Sequence, residues 1–174
     1  GQVIKIVMAA SIGFLLFLYT EHLFYQGYLP KRYREGALEN LCFYFTVIEV
    51  FLFSASLFGF YIFLHAPKSL LLIIISALTL ILNYQLFRAM KVNFWESWPY
   101  NLVLTLTVFE FFYVAMLLPT AFAVSGAMLA ILYYFTTGLL RYHFSHELDA
   151  RIVRRFALIG GLIFLLVAAT ARWT

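Results

Sequence analysis

Two glutamates stand inside otherwise apolar runs, Glu49 in TVIEVFLF (46–53) and Glu110 in TVFEFFYV (107–114). A carboxyl group in such surroundings can exchange a proton, hold a polar solute, or stay neutral and donate a hydrogen bond to a neighbouring helix. Thr46 and Thr107 each precede their acid by three residues, so hydroxyl and carboxyl share a helical face. Tyr113 extends that face beyond Glu110 and favours Glu110 as the acid of a proton relay. Asn83, Tyr84 and Gln85 near the end of one apolar run, and Tyr133, Tyr134, Thr136 and Thr137 near the end of another, fall at about the acids' depth. Arg88 and Arg141 are the nearest cations able to pair with them. The candidate substrate or proton site is thus Glu49, Glu110, Thr46, Thr107, Tyr113, Asn83, Arg88 and Arg141.

The elements that must carry these residues follow from composition. Of 174 residues, 64% are hydrophobic and 20% aromatic, only 11% are charged, and the mean hydropathy is +0.92. A water-soluble domain carries about 25% charged residues. Several apolar runs approach the ~20 residues that a helix needs to cross a bilayer. The sequence therefore reads as an all-α, polytopic transmembrane helix bundle forming a single integral membrane domain over 1–174. Six spans are expected, at 3–18, 41–64, 69–87, 102–118, 121–140 and 156–171. Pro67 stands before the third, and Pro119 separates the fourth from the fifth by a tight connection or else kinks one re-entrant element. The first run has Lys5 ahead of it like a signal peptide. No small-x-small cleavage site follows in Leu18-Tyr19-Thr20-Glu21-His22, so it reads as a helix.

Cations set the expected orientation. Lys31, Arg32, Arg34, Arg88, Lys91, Arg141, Arg151, Arg154 and Arg155 fall on one side of the six spans, and Lys5, Lys68 and Arg172 on the other. The richer side is expected in the cytoplasm, with both termini outside, in a prokaryotic cytoplasmic membrane. Phe24, Tyr25, Tyr28, Tyr33, Phe94, Trp95, Trp98 and Tyr100 crowd the same boundary as an interfacial aromatic belt. A net charge of +4 suits the lipid bilayer's anionic headgroups; no basic stripe for nucleic acid is present. Cys42 is the single cysteine, so an internal disulfide is excluded.

The glutamates belong to a repeat. Across a 61-residue offset, Asn40, Leu41, Thr46, Val47, Glu49, Phe51 and Leu57 recur as Asn101, Leu102, Thr107, Val108, Glu110, Phe112 and Leu118, and Glu35 recurs as Glu96. This pattern reads as a duplicated two-helix unit, 35–90 and 96–141, in parallel orientation. A fainter third copy from Glu147 would place Gly161 where the acid belongs. Each acid lies nine residues past its asparagine, ~13 Å into the span at 1.5 Å per residue. An acidic side chain facing lipid there costs roughly 2.5–3.5 kcal/mol, so both acids are expected to face the bundle interior or a wet cavity.

Weaker patterns were weighed against plainer explanations. His143, His146 and Glu147 lie close enough in sequence to share a metal, but a solvated juxtamembrane helix accounts for them and no cofactor is expected. Ala55 with Gly59 and Gly126 with Ala130 have the small-xxx-small spacing of closely packed helices, and Gly160 and Gly161 are expected to serve packing similarly. Asp149-Ala-Arg151 resembles a fragment of the CDP-alcohol phosphotransferase signature, but the accompanying glycines and aspartates are missing and the resemblance is rejected. In size alone the chain resembles the substrate-binding subunits of energy-coupling-factor transporters, without a motif to support it. The leading expectation is a protein that binds or translocates a small solute or proton at the two acids. The alternative is a non-catalytic membrane subunit or assembly factor, with other membrane subunits as partners and acids that hold helices together. A membrane-embedded lipid enzyme comes third.

Overall fold

Helix boundaries fall at the prolines and at residues able to leave the helical conformation. The computed structural model describes residues 37–145 and 149–170, and among these it has five α-helices and no strand. They are α1 Ala37–Leu64, α2 Lys68–Ala89, α3 Phe94–Ala115, α4 Phe122–Phe144 and α5 Ala150–Thr170. Each overlaps one of the last five apolar runs; the expected first span, 3–18, lies outside the described residues. Three helices are long and apolar enough to cross a membrane: α1 over Glu39–Leu64, α2 and α4. Six crossings are therefore more than the described helices establish. In α3, the residues Glu96, Ser97, Asn101, Thr105, Thr107 and Glu110 dilute the apolar run.

Pro67 caps the start of α2 with an extended backbone, and its carbonyl accepts from the N–H groups of Leu70 at 3.1 Å and Leu71 at 3.3 Å. Proline suits this place because an N–H there would have no helical partner. Pro119 sits in the turn between α3 and α4, which are separate helices rather than one kinked element. Pro99, six residues into α3, removes one helical hydrogen-bond donor near its start.

The ends of α1 and α2 use left-handed residues. His65 (φ 52°) follows α1, and the N–H of Ala66 reaches back to Phe60 O at 3.3 Å. Lys91 (φ 58°) follows α2 in a Schellman motif, with Lys91 N–H on Arg88 O and Val92 N–H on Phe87 O, both at 3.1 Å.

The chain falls into two compact units, 1–44 and 45–174. The described part of the first is the opening of α1, residues 37–44. In the second unit the core joins Val50, Leu57 and Phe58 of α1 to Leu71, Ile75 and Leu82 of α2, Val108 and Phe112 of α3, and Leu129 and Tyr133 of α4. Phe58 and Phe112 stack at 4.4 Å between ring centroids. Small residues bring α1 and α4 together at Gly126, where an added Cβ would lie 2.9 Å from the Cα of Ala55. The Ser54 hydroxyl donates across the same crossing to Gly126 O at 3.4 Å. Phe156 of α5 covers Gly138 of α4, and Phe135 packs over Gly160. Gly161 has no neighbour within 4 Å of an added Cβ, so its expected packing role is not seen among the described residues.

Candidate functional site

The polar groups gather where α2, α3 and α4 meet. α2 and α3 form a hairpin through residues 90–93, so positions equally far from that turn stand at matching levels. Asn83 and Asn101 both lie about two turns of helix from that connection, with Thr79 and Thr105 one turn farther along each helix; all four are buried. The two helices are joined where Asn101 Nδ2 donates to Leu80 O on α2 at 3.3 Å, one turn from Asn83. Both threonine hydroxyls turn back on their own helices, Thr79 to Ile75 O at 2.7 Å and Thr105 to Asn101 O at 2.8 Å. They leave the two amides as the groups that connect helices.

α4 supplies Tyr133, whose ring is 0% exposed. Its hydroxyl donates to Asn83 Oδ1 at 2.7 Å, a fully buried bond between α4 and α2. Interhelical bonds of this kind contribute about 0.6 kcal/mol on average in a membrane. Leaving the tyrosine hydroxyl unpaired in the interior would cost about 1–3 kcal/mol, which makes the pairing nearly obligatory.

Glu49 lies at the margin of this cluster. Thr46, one turn earlier on α1, is buried and Val50 is 0% exposed, while Glu49 itself is exposed. Its neighbour Val50 packs in the same core as Tyr133. Glu110 occupies a different setting. It is exposed on α3 with Tyr113 (45% exposed), Leu106 and Val114, and Thr107 directs its hydroxyl to Val103 O at 2.9 Å rather than to the acid. Both acids are thus on outer faces of the described residues, whereas the sequence led to an expectation of interior ones.

The remaining sequence candidates are scattered. Arg88 is exposed and its Nη1 donates to Tyr84 Oη at 3.4 Å, away from either acid. Arg141 is half-buried in the last turn of α4. His143 Nε2 and Tyr100 Oη are 3.1 Å apart, joining the end of α4 to the start of α3. Its expected metal-sharing neighbours His146 and Glu147 lie outside the described residues, and among those described no three His, Cys, Asp or Glu side chains gather.

Asn101 and Thr105 were not singled out as site residues by sequence reasoning. Their distance of about two and three turns from the 90–93 connection, similar to that of Asn83 and Thr79, is the signal that could have found them. No family model matches this chain, and no curated protein or solved structure matches it.

Proposed function

We propose that this chain is a multi-pass membrane protein that binds or translocates a proton or small polar solute through Glu49, Tyr133 and Asn83. The observation that carries the reading is the buried Tyr133–Asn83 hydrogen bond, with Glu49 on α1 next to Val50, which packs in the same core as Tyr133. A phenolic hydroxyl both donates and accepts. With its proton directed to Asn83 Oδ1, the Tyr133 oxygen keeps lone pairs that can accept a hydrogen bond from a protonated Glu49 or from a bound polar solute. Ionisable groups within a membrane are expensive, and proton relays are among their established uses.

In this reading the chain makes six crossings and contains a duplicated helix pair, 35–90 and 96–141. Six of the seven lysines and arginines between residues 37 and 170 (Arg88, Lys91, Arg141, Arg151, Arg154, Arg155, with Lys68 apart) flank the α2–α3 and α4–α5 connections, which supports a cytoplasmic location for that side in this reading. Purified protein in liposomes loaded with a pH-sensitive dye should carry protons under an imposed potential, and Tyr133→Phe should slow that flux severalfold. Flux equal to empty liposomes removes the proton reading.

One observation favours a second role, that of a non-catalytic membrane subunit or assembly factor. Glu110 and Tyr113 share an exposed face of α3 among large apolar side chains. Exposed to lipid, that acid would be costly; against a neighbouring membrane subunit it would be satisfied.

A further inference from the structure

Two polar atoms in the α2–α3 seam have no hydrogen-bond partner although both are fully enclosed: Asn83 Nδ2 and Asn101 Oδ1. Their residues are 0% and 3% exposed, so neither atom can turn to bulk solvent. Every other polar atom of the two amides is engaged, Asn83 Oδ1 by Tyr133 and Asn101 Nδ2 by Leu80 O. The unengaged atoms are chemically complementary. One is an N–H donor and the other a carbonyl acceptor, on adjacent helices joined by the Asn101 Nδ2–Leu80 O bond one turn from Asn83.

We propose that Asn83 Nδ2 and Asn101 Oδ1 hold a single water molecule between α2 and α3. The ligand must be neutral, because an ion there would find one amide donor and one amide acceptor and no countercharge from them. It must accept one hydrogen bond and donate another, and it must be small, since Leu82, Leu86 and Leu104 are buried around the seam. Water meets all three conditions. Buried waters typically make about three hydrogen bonds. One turn farther along the two helices, the hydroxyl oxygens of Thr79 and Thr105 donate to their own helices and keep acceptor capacity. The water would extend the Tyr133–Asn83 pair to α3 and tie three helices through polar contacts. The site does not depend on transport and stands or falls separately from the flux experiment.

The test is water-edited solid-state NMR on protein carrying ¹⁵N-asparagine, reconstituted in deuterated lipid. Polarisation from water should reach the Asn83 side-chain amide at mixing times that leave the methyls of Leu82 and Ile75 dark. In Asn101→Leu the transfer to Asn83 should drop severalfold, while exposed Asn93 remains unchanged. The unmodified protein decides the matter even where the variant does not fold. A dark Asn83 amide, a direct coupling across a hydrogen bond from Asn83 to Asn101, or undiminished transfer in Asn101→Leu overturns the proposal.

Discussion

α1 and α3 carry the same residues at the same spacing and turn different sides inward. Between Thr46 and Phe58, α1 buries Thr46, Val50, Ser54, Leu57 and Phe58. α3 buries Asn101, Leu104, Thr105, Val108, Phe112 and Ala115. Through the 61-residue offset, Val108 and Phe112 correspond to Val47 and Phe51, which are only half-buried in α1. Around the glutamates the inward positions are offset by one, about 100° around a helix of 3.6 residues per turn, whereas Phe43 and Leu104, and Ser54 and Ala115, correspond and are buried in both helices. Repetition of residues has therefore not preserved their environment. The polar and small groups decide each helix's rotation: Ser54 and Ala55 against Gly126 for α1, and Asn101 against Leu80 for α3. As a consequence the two glutamates, alike in sequence, differ in reach. Glu49 is exposed beside Val50, which packs in the same core as Tyr133, while Glu110 stands on an exposed face beside Tyr113.

The sharpest way to break this comparison is to remove what fixes α1. Gly126→Leu puts side-chain atoms where a Cβ alone would be 2.9 Å from the Ala55 Cα. Overpacking of this kind costs about 1–3 kcal/mol or more. Thermal or detergent-induced unfolding should show a loss near the upper end. Gly59→Leu, whose Cβ would meet only Phe63 at 4.0 Å, should lose much less. Equal losses would mean that the Gly126 crossing does not orient α1.

A smaller effect tests the two tyrosines. Tyr133→Phe removes the donor to Asn83 Oδ1 and leaves a buried carbonyl unpaired, a cost of about 1–2 kcal/mol. Tyr113→Phe on the exposed face should change stability by less than about 0.5 kcal/mol. The ranking matters more than the values. A reversed order would place the polar cluster on the wrong helix.

The smallest effect concerns the helix ends. α1 runs into His65 in the left-handed region, whereas α3 ends on Met116 in the ordinary helical one. His65→Gly relieves a strain of about 1–2 kcal/mol but frees the unfolded chain, for a net gain of about 0.5 kcal/mol. Met116→Gly has no strain to relieve and should destabilise. Unfolding midpoints of the two variants should move in opposite directions.

Helix positions were legible in the sequence because apolar run length and proline placement set them. Pro67 and Pro119 mark the observed breaks, and the run at 41–64 sits within Ala37–Leu64. Facing was not legible. In α1 and α2 nearly every side is apolar, since a surface meant for lipid is as hydrophobic as one meant for the core, and no amphipathic stripe points inward. Glu49 and Glu110 were expected inside because an acid facing lipid is costly, and no stripe marked their faces as outer. The candidate site was half readable: Asn83 and Thr46 do lie in the interior, and Tyr133 stood among the polar residues at their depth. Glu110 was favoured for its neighbour Tyr113, yet a shared helical face says nothing of whether that face meets other helices. The Asn83–Asn101 and Thr79–Thr105 levels depend on where α2 ends and α3 begins, which hydropathy alone places only to within a few residues.

The central claim is that Glu49, and not its repeat partner, is coupled to the buried Tyr133–Asn83 pair. Its most direct test is proton flux in liposomes for Glu49→Gln and Glu110→Gln, each verified as folded by its unfolding midpoint. Glutamine keeps the shape and much of the hydrogen bonding of a neutral glutamate and cannot ionise. The account predicts that Glu49→Gln abolishes the flux or its dependence on pH, while Glu110→Gln retains both. Loss in Glu110→Gln with full flux in Glu49→Gln, or equal flux in both, would contradict it.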